Sequence, residues 1–405
     1  MPSRDRITAV LGFQQYVVVG FKRIHKQQVE LTLEPKGCGW SCPRCGQRFL
    51  IYYDRAWVKL RDLDMAAHRS VLIVPKYRVN CPDCGVARVP LGIARHHARC
   101  TKRFERHLFE LARTMPISEV AAEAGVHWET VKAAEIRHIL GLLRKRDLDG
   151  IEELGFDEVS EKKGHRYLTL ATDLKRNRVI WVGPGRSRST LKSFFRWFGP
   201  KRCRALKRFV IDMHDPYEQE IRAQCPWAKI IYDHFHLSKL LHLAIDKLRR
   251  RLQSSLPPED RTFLKNKRYL LLKAKENITT KQRVLLKELL AVNKPLNTAY
   301  ILKEEFRTIF DEQDSKAARK ALRQWKRRVR ESRIPELLDF VGMLNRRRYG
   351  IMNFFRYRIT NGMAEGFNNV VKTIKKVAYG FHDSRYFSLK ILRKCGRIEK
   401  KPQQP

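Results

Sequence analysis

Three polar side chains that could bind a metal ion follow short apolar runs in the stretch FVIDMHDPYEQEIRAQCPWAKIIYDHFHLSKLLHLAID. Asp212 follows the first run, and Asp233 and His236 follow the second, where strands are expected to end and a helix to begin. The whole chain has 84 Lys and Arg against 42 Asp and Glu. Carboxylates at strand ends in so basic a protein suggest a metal ion held against a polyanion.

Composition narrows the possible partners. The formal charge of +42 is spread along all 405 residues, which favours a nucleic acid. Apolar runs such as YVVVGF and VLIVP are too short to span a bilayer, and the N-terminus lacks a signal-peptide pattern. A hydrophobic content of 43% suffices for folded cores. We therefore expect a multidomain cytoplasmic protein, associated with the nucleoid when bound to DNA, and no membrane partner.

Two cysteine pairs form the most specific local pattern. Cys42 and Cys45 lie in CPRCG, and Cys81 and Cys84 lie in CPDCG. Such paired knuckles in a reducing compartment predict a structural zinc site, with residues 46–80 forming a hairpin between them. Four buried free thiols are the alternative. Five other possible zinc ligands lie nearby, but none is part of a matching knuckle, so we do not expect them to bind the metal ion: Cys38, His68, His96, His97 and Cys100. Three others are interpreted as small apolar residues: Cys203, Cys225 and Cys395.

The elements that must position these side chains can be read from hydrophobic patterning. Residues 1–100 contain strand-like runs, including QVELTLEP, and predict a small β module. After a connector, the order β-β-β-α-β-α-β-α is expected, with the last helix beginning at His236. Asp157 is expected to end the first of these strands, after ELGF, and Asp212 to end the fourth. Because the first and fourth strands of this order can be neighbours, the two carboxylates are expected to meet.

The stretch ISEVAAEAGVHWETVKAAE predicts a helix-turn-helix. Ala121, Gly125 and Val131 have the spacing of the helix contact, the turn and a buried residue of the recognition helix. Trp128, Thr130 and Lys132 would then face DNA. An ordinary amphipathic helical hairpin gives the same pattern, so the basic composition is what favours the DNA-binding interpretation.

A third acid is needed for a two-metal site, and Glu365 in TNGMAEGFNN is the candidate. Its predicted helix continues on the same face through Asn369, Lys372 and Lys376, which suits a metal ion followed by DNA phosphates. A solvated charged helix is the alternative.

Trp325 in AARKALRQWKRRVRES invites interpretation as a base-stacking residue, but it shares a helical face with apolar residues and is expected in a core. The opposite face of this helix is rich in Arg and Lys and is expected to lie along the phosphates of DNA. Asp173 and Asp215 are weaker metal-site candidates, because turn or cap roles explain them.

These motifs together resemble a DDE transposase of the bacterial ISL-three insertion-sequence family over nearly the whole chain. The resemblance rests on the cysteine knuckles, the helix-turn-helix, and the blocks GFDEVSEKKGHRYLTLATDL, VIDMHDPY, IIYDHFHLSKLL and TNGMAEGFNNVVKTIKKVAYGF. It implies an RNase H-like α/β catalytic core interrupted by an α-helical insertion, within an α+β multidomain protein. The implied domains are a zinc-binding β module (1–100), a helix-turn-helix (101–147), the first part of the core (151–252), the insertion (253–350) and the final helices (351–405).

The resemblance also implies the chemistry. Asp157, Asp212 and Glu365 would hold two Mg²⁺ ions, replaceable by Mn²⁺, for cleavage at the terminal inverted repeats and strand transfer into target DNA. Homo-oligomers on double-stranded DNA are implied as well. Asp233 and His236 are similar to a D-x-x-H element of transposases and would be accessory, although a helix cap with a buried histidine explains them equally. A non-catalytic DNA-binding regulator, or a nuclease without strand transfer, are the alternative functions.

Overall fold

The computed structural model divides the chain into two compact units, Met1–Lys145 (unit 1) and Arg146–Pro405 (unit 2). It describes residues 4–25, 27–37, 39–162, 166–255, 261, 268–378 and 380–399. Among these residues, helices with the length and apolar character of a membrane span are not found.

Unit 1 opens with a helix and a mostly antiparallel sheet. Its elements are α1 (Arg4–Leu11), β1 (Tyr16–His25), β2 (Gln28–Pro35), β3 (Trp40–Ser41), β4 (Arg48–Phe49), β5 (Asp54–Arg61), β6 (Arg69–Cys81) and β7 (Gly85–Arg88). The main sheet has the order β1-β2-β6-β5, with β7 also paired to β6, and β3 pairs with β4. The alternation predicted in QVELTLEP is confirmed, because Val29, Leu31 and Leu33 are buried on one face.

Three helices complete unit 1: α2 (Lys102–Leu111), α3 (Ile117–Ala124) and α4 (Trp128–Arg144). Gly125 ends α3 with φ +63°, a left-handed conformation that suits glycine and turns the chain into α4. Ala121 and Val131 are buried between the helices, and Val131 is fully inaccessible. The helical pair predicted around Gly125 is therefore confirmed.

Unit 2 is built on a mixed sheet. Its first elements are β8 (Glu153–Lys162), β9 (Arg166–Asp173), β10 (Arg178–Pro184), α5 (Arg188–Phe198), α6 (Pro200–Ala205), β11 (Arg208–Ile211), α7 (Asp215–Gln224) and β12 (Lys229–Tyr232). The strand order is β10-β9-β8-β11-β12; the β8, β9 and β10 pairings are antiparallel, whereas β11 is parallel to both β8 and β12. The first and fourth strands are neighbours, as predicted.

Some details of this order differ from the prediction. Asp157 does not end its strand, since β8 continues to Lys162 through antiparallel pairing with β9. The parallel pairing with β11, however, ends at Gly155, so Asp157 still lies beyond the carboxyl end of the parallel part. The short helix α6 was not predicted, because its six residues, PKRCRA, have too little periodicity to indicate a helix.

The remaining part of unit 2 is helical where it is described. The elements are α8 (His234–Ser254), α9 (Arg268–Leu272), a 3₁₀ turn (Lys275–Asn277), α10 (Thr280–Val292), α11 (Lys294–Ile309), α12 (Ser315–Ser332), α13 (Pro335–Arg346), α14 (Arg348–Tyr357), α15 (Met363–Val377) and α16 (Ser384–Cys395). Trp325 of α12 is 2% exposed and its indole N–H donates to the Leu302 carbonyl at 2.7 Å. The predicted core position of Trp325 is thus confirmed.

Candidate functional site

The candidate site lies where the parallel strands of unit 2 end. Asp212 is the first residue after β11, and Asp157 lies two residues beyond the last β8 residue paired with β11. Ligand atoms of Asp157, Asp212 and His236 lie within 4.8 Å of one another. Crevices at the carboxyl ends of parallel strands are the usual binding places of open α/β sheets. The strand order therefore assembles two acids and one imidazole that are distant in sequence.

Helix α8 brings His236 to the site. Asp233 caps this helix by accepting the Phe235 N–H at Oδ1, 3.1 Å away, so α8 begins at His234 rather than at His236 as predicted. His236 Nε2 then lies 2.8 Å from Asp212 Oδ1. Burial lowers the pKa of His236, but its hydrogen bond to Asp212 and the nearby carboxylates outweigh burial and raise the pKa overall. A protonated His236 would hold the Asp212 carboxylate in one orientation.

Asn368 of α15 holds the other acid, and sequence analysis missed it. Its Nδ2 donates to Asp157 Oδ2 at 2.8 Å, while the Glu158 N–H donates to Asp157 Oδ1 at 2.8 Å. Asn368 Oδ1 is buried without a partner among the described residues. Asn368 is the first asparagine of GFNN and is adjacent to Asn369, the one that the sequence analysis chose. The first, Asn368, was the available signal, since it follows Glu365 by three residues and i and i+3 share a helix face.

Electrostatics at the site favour a cation. Burial raises the pKa of Asp157, and the charge of Asp212 raises it further, against the two hydrogen bonds that lower it. The pKa of Glu158 is raised for the same two reasons. Neighbouring carboxylates that disfavour each other's ionised form are what a divalent cation relieves, and carboxylate oxygen is the ligand that Mg²⁺ prefers. Carboxylate oxygen also suits Mn²⁺.

Glu365 is not part of the assembled group. It lies in the first turn of α15, where it is exposed, and the described ligand atoms that lie within 4.8 Å of one another come from Asp157, Asp212 and His236. Asn368, one turn later, contacts Asp157, so Glu365 lies on the helix face that approaches the site. The structure thus brings together two of the three predicted acids, with His236 and Asn368 in addition.

Asp233 is buried, and its side chain bonds two separate segments of unit 2. It is 5% exposed, and its Oδ2 accepts the Asn361 N–H at 3.3 Å. Asn361 lies just before α15, and its side chain lies so close to Gly155 that a Cβ there would come within 2.8 Å of Asn361 Oδ1. Asp233 therefore links the start of α8, which carries His236, to the turn before α15, which carries Asn368.

The weaker acid candidates have structural partners. Asp173 is 1% exposed and lies 3.3 Å from nitrogen atoms of both Arg176 and Arg178. Asp215 is the first residue of α7 and pairs with Arg347. The arrangement of Asp173, which also accepts the Arg176 N–H, agrees with the turn role considered from the sequence, whereas Asp215 is not a helix cap because His214 is the N-cap of α7.

The four knuckle cysteines of unit 1 form a second cluster. Their Sγ atoms lie within 4.8 Å of one another, with Cys45 and Cys81 at 3.6 Å. A Zn–S distance of about 2.3 Å in a tetrahedral site separates sulfurs by about 3.8 Å, so the spacing fits zinc. Gly46 and Gly85, which follow the knuckles, have φ +81° and +72°, the conformation that lets each turn close around a metal ion.

One thiol of this cluster is prepared for metal binding, because backbone N–H groups of Cys45 and Arg44 lower the pKa of Cys42 to about 7. His68, His96, His97 and Cys100 are not in the cluster of described ligands, and Cys38 lies outside the described residues.

Three parts of the chain match families of known proteins. A family model described as a transposase matches residues 154–391, and the helix-turn-helix domain of transposase family ISL3 matches residues 89–139. The zinc-finger of the transposases IS204/IS1001/IS1096/IS1165 matches residues 39–84. The chain belongs to the ISL3 family of DDE transposases.

Similarity to individual ISL3-family members extends over most of the chain. The transposase for insertion sequence element IS1001 of Bordetella parapertussis is 34% identical over 399 residues, covering 96% of this chain and 98% of that protein. The transposase for IS1557 of Mycobacterium tuberculosis (strain H37Rv) is 28% identical over 369 residues, covering 84% and 82%. The ISL3-family assignment supports a structural zinc in the zinc ribbon and DNA binding by the helix-turn-helix.

The predicted DNA-facing residues of this ISL3-family transposase are accessible to different degrees. Trp128 begins α4 with 44% exposure, Thr130 is partly buried, and Lys132 Nζ lies 6.0 Å from the Trp128 ring centroid. On α15, three predicted phosphate contacts are exposed: Asn369, Lys372 and Lys376. Lys372 Nζ donates to Asn369 Oδ1 at 3.3 Å.

Proposed function

We propose that this protein cleaves the terminal inverted repeats of an insertion sequence and joins the freed ends to target DNA in Mg²⁺-dependent reactions at the Asp157–Asp212 site. The observation that carries the proposal is the pair of carboxylates where the parallel pairing of β8 and β11 ends, each with its own orienting side chain. The mixed strand order β10-β9-β8-β11-β12 supports an RNase H-like core for unit 2. Residues 253–350 would be an insertion into that core, with residues 256–260 and 262–267 outside the described part.

Each protein group has a role in this proposal. Asp157 and Asp212 would hold the metal ions, with Glu365 as the third acid once DNA is bound. Asn368 orients the Asp157 carboxylate and His236 that of Asp212. Bound Mg²⁺ ions would supply Lewis-acid stabilisation of the attacking and leaving oxygens. In the joining step, the oxygen of the freed 3′-hydroxyl attacks a target phosphorus and the target's own 3′ oxygen leaves, so no protein nucleophile is required.

Asp233 is proposed to act as a positioning residue. Its two oxygens accept different N–H groups, one at the start of α8 and one before α15. Asp233→Asn retains one carbonyl acceptor and adds an amide donor, so it can satisfy the helix cap or the Asn361 N–H but not both. We expect the variant to retain part of its cleavage activity and to require more Mg²⁺. Unchanged Mg²⁺ dependence would contradict this role.

DNA binding is proposed to involve both units. Trp128, Thr130 and Lys132 would contact the inverted repeat, and Asn369, Lys372 and Lys376 the phosphates near the cleavage site. The exposed face of α12 would follow phosphates, with these residues contributing: Lys316, Arg319, Lys320, Arg323 and Arg330. Each neutralised phosphate contributes a slope of roughly −0.9 in log K against log salt, so binding should weaken steeply with salt. Assembly as a homo-oligomer on paired ends, in the cytoplasm, completes the proposal.

The proposal is tested with a labelled DNA fragment that carries the repeat flanking the gene. Wild-type protein should cleave it in Mg²⁺ and join the cut end to a second DNA, whereas Asp212→Ala should bind with similar affinity and do neither. Cleavage without joining would indicate a nuclease, and binding without cleavage by wild type would indicate a regulator.

A further inference from the structure

Phe235 is an exposed aromatic residue beside the acid site. It is the second residue of α8, between His234 and His236, and 58% of it is exposed. Both adjacent histidines contact other side chains. The His234 ring packs against Phe354 with ring centroids 4.8 Å apart, and His236 bonds Asp212. Because successive Cα atoms are about 3.8 Å apart, the Phe235 side chain starts at the edge of the site.

This exposure is unusual within unit 2. Among the phenylalanines of unit 2 that the structure describes, Phe235 alone is exposed; the others are buried except Phe381, which is intermediate. Isolated apolar residues are common on protein surfaces, so what matters here is the position of Phe235 next to His236, which bonds Asp212. On one side, the Phe235 ring lies 4.1 Å from the His234 ring centroid. The fold gains little from leaving this ring in water.

Its chemistry matches one part of a DNA substrate. A nucleobase is planar and apolar on its faces, and aromatic side chains stack on bases without sequence preference. The first turn of α8 also has the partial positive charge that favours phosphate nearby. Trp325, the aromatic residue to which the sequence draws attention, is buried and hydrogen-bonded, so it is not available for stacking.

We infer that Phe235 stacks on a nucleobase next to the phosphate that reacts at the Asp157–Asp212 site. The inference rests on the proposed function, because it takes DNA as the substrate of that site. It adds a residue that orients the DNA strand by its base, whereas the acids act on the phosphate. Phe235→Ala and Phe235→Leu both remove the ring, and Phe235→Trp keeps a stacking surface.

Cleavage should slow by roughly 5- to 150-fold in the Ala and Leu variants, the range expected for loss of one stacked base, and recover in the Trp variant. Tyr269→Ala is the matched control, since Tyr269 is 78% exposed on α9. A wild-type cleavage rate in Phe235→Ala would overturn the inference. So would a cleavage rate in Phe235→Leu equal to that in Phe235→Trp.

A cycle between protein and DNA separates stacking from a merely structural role. Single abasic sites are placed in turn at the bases around the cut. At the stacked position, the abasic site in the DNA and Phe235→Ala in the protein should each slow cleavage and weaken binding. The two changes together should have no larger effect than either change alone. The cycle is measured both in Mg²⁺-dependent cleavage and in fragment binding with Ca²⁺. If the wild-type protein binds the fragment but does not cleave it, the proposed function is contradicted. The binding assay in Ca²⁺ then still tests whether Phe235 stacks on a base. Additive effects at every position in both assays would overturn the inference.

Discussion

The two clusters of potential metal ligands are built in opposite ways. The four cysteines come from two turns, and each turn has the same sequence pattern ending in a left-handed glycine. The acid cluster draws Asp157, Asp212 and His236 from separate elements, and Asn368 reaches Asp157 across 211 residues of sequence. Local spacing specifies the first cluster, whereas strand order and helix docking specify the second.

The clusters also differ in what a metal ion would do for the fold. In the cysteine cluster, backbone N–H groups lower the pKa of Cys42 to about 7, so this one thiol already favours the thiolate, whereas the neighbouring thiols raise the pKa of Cys84 to about 12. In the acid cluster, burial and Asp212 raise the pKa of Asp157, so the arrangement of carboxylates opposes ionisation. We propose that a metal ion in the first cluster stabilises the fold and that the second cluster serves function, at some expense in stability.

The largest expected effect is on zinc. Cys81→Ser should lose the metal ion, because structural zinc sites bind with about 10 kcal/mol or more and require all four ligands. Metal analysis of the full chain should give one zinc per wild-type protein and almost none in the variant. Cys100→Ala, which changes a buried cysteine outside the cluster, should retain zinc. A variant that keeps stoichiometric zinc would refute the four-cysteine assignment.

A smaller effect is expected from the residue that orients Asp157. Asn368→Ala should slow Mg²⁺-dependent cleavage by about 10- to 100-fold, the usual cost of removing a group that orients a metal ligand. Binding of end DNA should change little. The control is Asn345→Ala, because this exposed asparagine on α13 bonds Lys326. Equal cleavage rates for the two variants would show that the Asp157 contact has no catalytic consequence.

The smallest effect concerns stability. Asp157→Asn should raise the free energy of unfolding in Mg²⁺-free buffer by about 1 kcal/mol at neutral pH, because it removes a carboxylate whose folded pKa is raised. With a folded pKa above the unfolded value, the wild-type contribution is present at low pH and is lost as pH rises through the folded pKa. Chemical denaturation over a pH series measures this difference.

Asp246→Asn is the matched comparison, since Asp246 is also buried in unit 2 but Arg250 and Arg249 outweigh burial and lower its pKa. That variant should be less stable than wild type. Destabilisation by Asp157→Asn of similar size would mean that the acid cluster is a structural ion-pair site rather than a metal site.

The sequence predicts each cluster to the extent that local pattern encodes it. The duplicated knuckles predicted all four cysteines, and the strand order predicted that Asp157 and Asp212 meet. The contacts of His236 and Asn368 depend on where α8 begins and how α15 docks on β8, which periodicity does not determine. Phe235 was missed for a related reason, because a pattern of residue types does not show which aromatic ring remains exposed.

The sequence and the structure differ most about Glu365, which the family resemblance makes the third acid and which is exposed one turn from Asn368. The decisive measurement is Mg²⁺-dependent cleavage of a labelled end fragment by Glu365→Ala, with a gel-shift assay on the same protein. We predict binding as tight as wild type or slightly tighter, since a negative charge near phosphates is removed, with neither nicking nor joining. Wild-type cleavage by Glu365→Ala would contradict the triad and leave His236 or Asn368 as the third ligand.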